Sequence, residues 1–165
     1  MSFALFPLVS AARRLTALPL ALVLAATLFA GYTLSPAVPE ASASGVISAA
    51  KAETALKWAR SRAGDPYRAG GTGPHAFDCS GLTRWAFSHV GRSLPHSSSA
   101  QVSRTHRISK ENRRRGDLVF FYGYGGVYHV GIYAGDNQIW HSSYGGRPVQ
   151  RDRIWSGSHF YGRVK

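Results

Sequence analysis

Apolar residues follow three rhythms along this chain, and each predicts a different kind of element. The first is a nearly unbroken run from Leu15 to Ala30, preceded by Arg13-Arg14 and followed by the small residues Ala41-Ser42-Ala43. A charged start, an apolar middle and a small-residue end predict a secretory signal over residues 1–43. The alternative is an uncleaved anchor, since a membrane span needs roughly 20 apolar residues. Pro19, Gly31, Pro36 and the A-x-A end favour cleavage, which leaves no stable membrane span after processing. The second rhythm is helical. "SAAKAETALKWARSR" (48–62) is rich in helix formers and sets Ala52, Ala55, Leu56 and Ala59 on one face. A second helix is predicted from Cys79 to Val90, with Asp78 as its N-cap, Leu82, Trp85, Ala86 and Phe87 toward a core, and Gly91 as its stop. A short helix is expected near Ser98 to Ser103. The third rhythm begins at Gly116, where "DLVFFY", "YHVGIYAG", "NQIWHSS", "RPVQRD" and "HFYGRV" read as strands separated by Gly, Asp and Asn turn signals. Helices first and a meander after predict an α+β domain, with the second helix packed on an antiparallel sheet of about five strands.

Composition adds an address and a charge. Removal of residues 1–43 leaves 122, enough for one domain that buries about two-thirds of its unfolded surface. The whole chain has 20 basic and 8 acidic residues; the remaining 122 have 18 and 7, a net charge of +11. Such a surface attracts polyanions. For an exported chain these are teichoic-type wall polymers or anionic lipid, and nucleic acid is not expected. Arg113-Arg114-Arg115, the densest basic cluster, reads as a solvated loop before a turn.

The one cysteine, Cys79, rules out an intramolecular disulfide and leaves two readings: a small core hydrophobe or a chemical role. A nucleophilic thiol needs a base, because the N-terminus of a helix favours a thiolate by only about 0.3–2 kcal/mol. Of seven histidines, His75, His89, His96 and His106 suit surface roles, and His159 has no evident partner. His129 and His141 flank a hairpin 12 residues apart and are candidates to meet across the ladder, one ring orienting the other, although strand histidines also serve as purely structural residues. Zinc-type paired spacing and a phosphate-binding loop are both missing.

"GDPYRAGGTGPHAFDCSGLTRWAF", "SLPHSSSAQ", "RRGDLVFFY", "YHVGIYAG" and "QIWHSS" in this order resemble the successive blocks of the NlpC-type cell-wall cysteine peptidases, over about Thr54 to Ile154. The resemblance implies a papain-like fold, with residues 44–53 as a linker and start of the first helix and 54–165 as the catalytic domain. It implies that Cys79 is the nucleophile, His129 the general base and His141 the residue that holds it. Tyr67 would flank the nucleophile at the oxyanion, and Asp78 and Ser80 would line the substrate cleft. The implied protein is a secreted, wall-associated monomer without metal or cofactor that acts on peptidoglycan stem peptides, at the γ-D-glutamyl to diaminopimelate bond. A wall-binding module with a latent site, or an amidase or acyltransferase on the same scaffold, are the alternatives. Two positions depart from the family pattern: Ala69, where an aromatic residue is common, and His96, where an Arg often follows Leu94-Pro95.

Overall fold

The computed structural model describes residues 45–165; the expected signal sequence lies outside the described residues. Three helices precede the sheet: α1 (Ala49–Arg60), α2 (Cys79–Ser88) and α3 (Ser98–Val102). Six strands follow: β1 (Thr105–Ile108), β2 (Leu118–Gly123), β3 (Gly126–Gly135), β4 (Gln138–His141), β5 (Gln150–Arg153) and β6 (His159–Val164). They form one antiparallel sheet in the order β1-β6-β2-β3-β4-β5.

Both long helices form where the sequence places them, for visible reasons. The Ser48 hydroxyl caps α1 by accepting from the Lys51 N–H, and the face made of Ala52, Ala55, Leu56 and Ala59 is buried. Asp78 caps α2, whose Leu82, Ala86 and Phe87 are buried in the core with the sheet, while buried Thr83 donates to Gln101 of α3. The chain leaves α2 through Gly91 at φ +74°, where the Arg92 N–H returns to the Phe87 carbonyl at 3.0 Å and Gly91 N–H to Ser88 at 3.1 Å. Those two bonds satisfy orphan carbonyls of the last turn.

Two cores share the sheet. Leu118, Phe120, Val130, Ile132, Ala134 and Val164 pack under the helices, while Val119, Phe121, Tyr133, Ile139, Ile154 and Tyr161 form a smaller cluster on alternate positions. The central strand β2 is therefore apolar on both faces, which is why "LVFF" reads as a continuous run.

The expected antiparallel sheet of about five strands is present with six; the further one, β1, "THRI", pairs only with β6, and its polar middle suits an edge that must not recruit another chain. Two expectations need correction. The strand expected at 147–152 starts at Gln150, because Val149 bonds back to the loop before α2, donating to the Asp65 carbonyl at 2.8 Å and accepting from Gly64 at 2.9 Å. The arginine run is no solvated loop. Arg113 bonds the Tyr133 hydroxyl, Arg114 the Ile47 carbonyl, and Arg115 clasps Glu53 through two 3.0 Å bonds, so the segment ties α1 to the sheet.

Candidate active site

The nucleophile candidate sits where the glycine-rich loop crosses the first turn of α2. Arg68 N–H reaches the Phe77 carbonyl at 3.0 Å and Asp78 N–H reaches Gly71 at 2.9 Å, folding the loop back on itself. A Cβ on Gly81 would come 1.9 Å from the Gly71 carbonyl oxygen, so only glycine lets loop and helix approach this closely. Asp78 closes the junction with both oxygens: Oδ1 accepts from Gly81 N–H at 2.7 Å and Ser80 Oγ at 3.0 Å, Oδ2 from Gly70 N–H at 3.1 Å and His96 Nε2 at 2.7 Å. His96, expected at the surface, thus joins the site from the connection before α3. Ser80 is buried, its hydroxyl turned onto Asp78 rather than toward open space.

Cys79 follows this cap. Its burial pushes the thiol up; a hydrogen bond from the Val130 backbone pulls it down, the Asp78 charge pushes it up, and the amides of Ser80 and Cys79 at the helix start pull it down again, leaving it raised. Val130 is the residue after His129, so the backbone that favours the thiolate lies one residue from the base candidate. Tyr67, half-buried, lies near enough to Cys79 and Asp78 that their charges add to burial in raising its hydroxyl, and it meets Tyr144 edge-on at 5.9 Å.

On the sheet, the β3–β4 hairpin brings the two histidines together as expected. Asp136 and Asn137 take φ of +51° and +57°, the left-handed pair that a two-residue turn with matching twist requires. His129 Nε2 and His141 Nδ1 are hydrogen-bonded at 2.9 Å with the rings nearly perpendicular, and both side chains are buried. Gly131 makes the room: a Cβ there would lie 2.7 Å from the Ile139 methyl and 3.2 Å from His141 Cβ. A shift of register between Phe121 and Tyr122 re-aims β3 next to His129. Burial, with the His141 ring beside it, drives His129 down to about 3. Burial also lowers His141, against the pull of Asp152.

Two residues of this arrangement were not singled out in the sequence. Asp152 Oδ2 accepts from His141 Nε2 at 3.0 Å, and the same carboxylate is held by Gln150 Nε2 at 2.7 Å and Arg147 at 3.0 and 3.2 Å. Burial opposes its ionisation, but the bonds from His141 and Gln150 and the nearby Arg147 charge outweigh that and hold it below the ordinary carboxylate range. Trp155 stacks flat on Phe121 at 4.0 Å and stands 5.4 and 5.3 Å from the His129 and His141 rings, covering their bond. A visible signal was available for Asp152, an acidic residue on the strand after His141, but its use depends on the β4–β5 register.

The other histidines lie elsewhere. His89 stacks near Trp58 and Trp85 at 4.0 and 4.3 Å, and His75 and His106 are exposed. His159, expected to lack a partner, bonds the Ser156 carbonyl and the Tyr161 hydroxyl. Among the described residues no group of three His, Cys, Asp or Glu side chains is arranged to hold a metal, and no helix is long and apolar enough to cross a membrane.

Set beside known proteins, residues 64–161 match the model of the NlpC/P60 family. A probable endopeptidase of Corynebacterium glutamicum (strain R) is 39% identical over 116 residues, which cover 70% of this chain and 54% of that one. The bifunctional muramidase/DL-endopeptidase CwlT of Bacillus subtilis (strain 168) is 40% identical over 125 residues, 68% of this chain and 36% of its own length. The chain thus spans about half of the first relative and about a third of the second. Among solved structures, the NlpC/p60 domain of the peptidoglycan hydrolase SagA superposes with a TM-score of 0.62 at 31% identity, covering 69% of this chain and 98% of that domain.

Proposed function

The chain belongs to the NlpC/P60 family, and from that premise we propose that it is a secreted, wall-associated cysteine endopeptidase of peptidoglycan stem peptides. In this reading Cys79 attacks, His129 moves the proton and His141 holds His129. The supporting observation is the 2.9 Å bond between His129 Nε2 and His141 Nδ1; the Val130 backbone, one residue along the same strand, favours the Cys79 thiolate. His141 takes up Nε2 of the base, so Nδ1 is the nitrogen that serves the thiol.

The thiol is raised and the imidazole lowered, so the resting couple is neutral. The proton passes from sulfur to His129 Nδ1 as the thiolate adds to the scissile carbonyl. The backbone N–H of Cys79, at the start of α2, and the Tyr67 hydroxyl receive the developing oxyanion. His129 then protonates the departing amine, a thioester remains on Cys79, and water activated by His129 releases the acyl group. Asp78 and Ser80 border the cleft in this reading; with both Asp78 oxygens engaged by Gly81, Ser80, Gly70 and His96, their part is to fix the loop and helix that shape it. The bond we assign is γ-D-glutamyl to diaminopimelate, in keeping with the DL-endopeptidase designation of CwlT.

Digestion of defined muropeptides by residues 44–165, read by product masses, tests this. The expected products are two pieces of the stem, formed by the wild type and not by Cys79→Ala. A whole stem peptide freed from the glycan would make the protein an amidase. Wall binding without release by either protein would make it a binding module.

A further inference from the structure

We propose that Asp152 is a positioning residue that sets the tautomers of both histidines and leaves His129 Nδ1 as the bare nitrogen of the pair. The inference deepens the reading of His129 as the base, and it starts from the register of β4 with β5. Ile139 pairs with Asp152 and His141 with Gln150, so Asp152 lies diagonally from His141 on the same face of the sheet.

The hydrogen-bond chain then admits one sequence of donors. An ionised carboxylate only accepts, so His141 Nε2 carries the hydrogen in its 3.0 Å bond to Asp152. A neutral His141 has its second nitrogen bare, and a bare nitrogen bonds only a donor. His129 Nε2 therefore carries the hydrogen at 2.9 Å, and its Nδ1 keeps the lone pair. Both rings are buried, at 8% and 1% exposure, which favours their neutral forms. Arg147 and Gln150 hold the carboxylate in place from its outer side, and Trp155 covers the bond between the rings. One charge two bonds away thus decides which nitrogen of the base is available, a tautomer-fixing part of the kind played by the acid of a catalytic triad.

Long-range proton–nitrogen correlation of the imidazoles in 15N-labelled protein reads this directly. In the wild type both His129 and His141 are expected as the Nε2–H tautomer. In Asp152→Asn the amide can donate to His141 Nε2, which turns the chain around and puts the hydrogen of His129 on Nδ1. The kcat on a muropeptide should then fall about 10²–10⁴-fold with KM changed less than about twofold, and Asp152→Glu should restore most of it. Wild-type His129 protonated on Nδ1, or Asp152→Asn with unchanged tautomers, overturns the proposal even if turnover is present. If Asp152→Asn does not fold, the wild-type tautomers alone decide. The predicted tautomers in a protein that cleaves no muropeptide would support Asp152's role and reject the peptidase reading.

Discussion

Burial acts on Cys79 and His129 in opposite senses, raising the thiol and driving the imidazole down to about 3. A charged pair is disfavoured until substrate arrives, and the same burial leaves a trace in stability. An unfolded chain protonates a histidine below about pH 6.5, whereas folded His129 resists until about 3. The unfolded state therefore binds more protons in that window, and folding loses up to about 1.4 kcal/mol per pH unit as pH falls through it. Thermal midpoints between pH 7 and 4.5 should decline, and His129→Gln should flatten the decline; equal slopes in both proteins would contradict the lowered value. Residue identities were the most legible part of the sequence at this scale: Cys79, His129 and His141 stand out by type and spacing. Asp152 did not, because its carboxylate is given meaning only by the strand pairing that sets it diagonal to His141.

At the scale of elements, the site depends on two close approaches made by glycines. Gly81 lets the loop lie on α2 and Gly131 lets His141 lie against β3. Gly81→Ala is the sharper test, since its Cβ would fall 1.9 Å from a backbone oxygen that has no flexible end to move. We expect a loss of about 2–3 kcal/mol of stability in urea unfolding, together with faster proteolysis within 63–77. Unchanged stability would mean that the loop does not pack there. The helices were legible because their buried faces repeat at helical spacing and their caps are Ser48, Asp78 and Gly91. β1 was not, being a short polar edge with no apolar alternation. The arginine run misled for a related reason: its partners Glu53, Tyr133 and Ile47 come from distant elements.

For the molecule as a whole, the net positive charge is set by number, 18 basic against 7 acidic residues after residue 43, and most of the acids are paired. Of the seven acidic residues in 45–165, six face a basic partner: Glu53 with Arg115, Asp65 with Arg62, Asp78 with His96, Asp117 with Arg163, Asp136 with Arg151 and Asp152 with Arg147. Asp117, fully buried, takes bonds from Arg163 and the Arg114 N–H. With most acids paired, the excess of Lys and Arg defines the outer field, which we propose would draw the protein to polyanions over a Debye length of about 10 Å at 0.1 M salt. Attraction of that kind would concentrate the enzyme on a wall without performing any chemistry, so the decisive question returns to one sulfur. Because the chain holds a single cysteine, the most direct measurement is release of stem-peptide fragments from peptidoglycan after alkylation of Cys79, its completeness checked by intact mass. Our account predicts that release falls below about one-thousandth of the untreated rate, as expected when the nucleophile of a covalent mechanism is removed; undiminished release by the fully alkylated protein would contradict it.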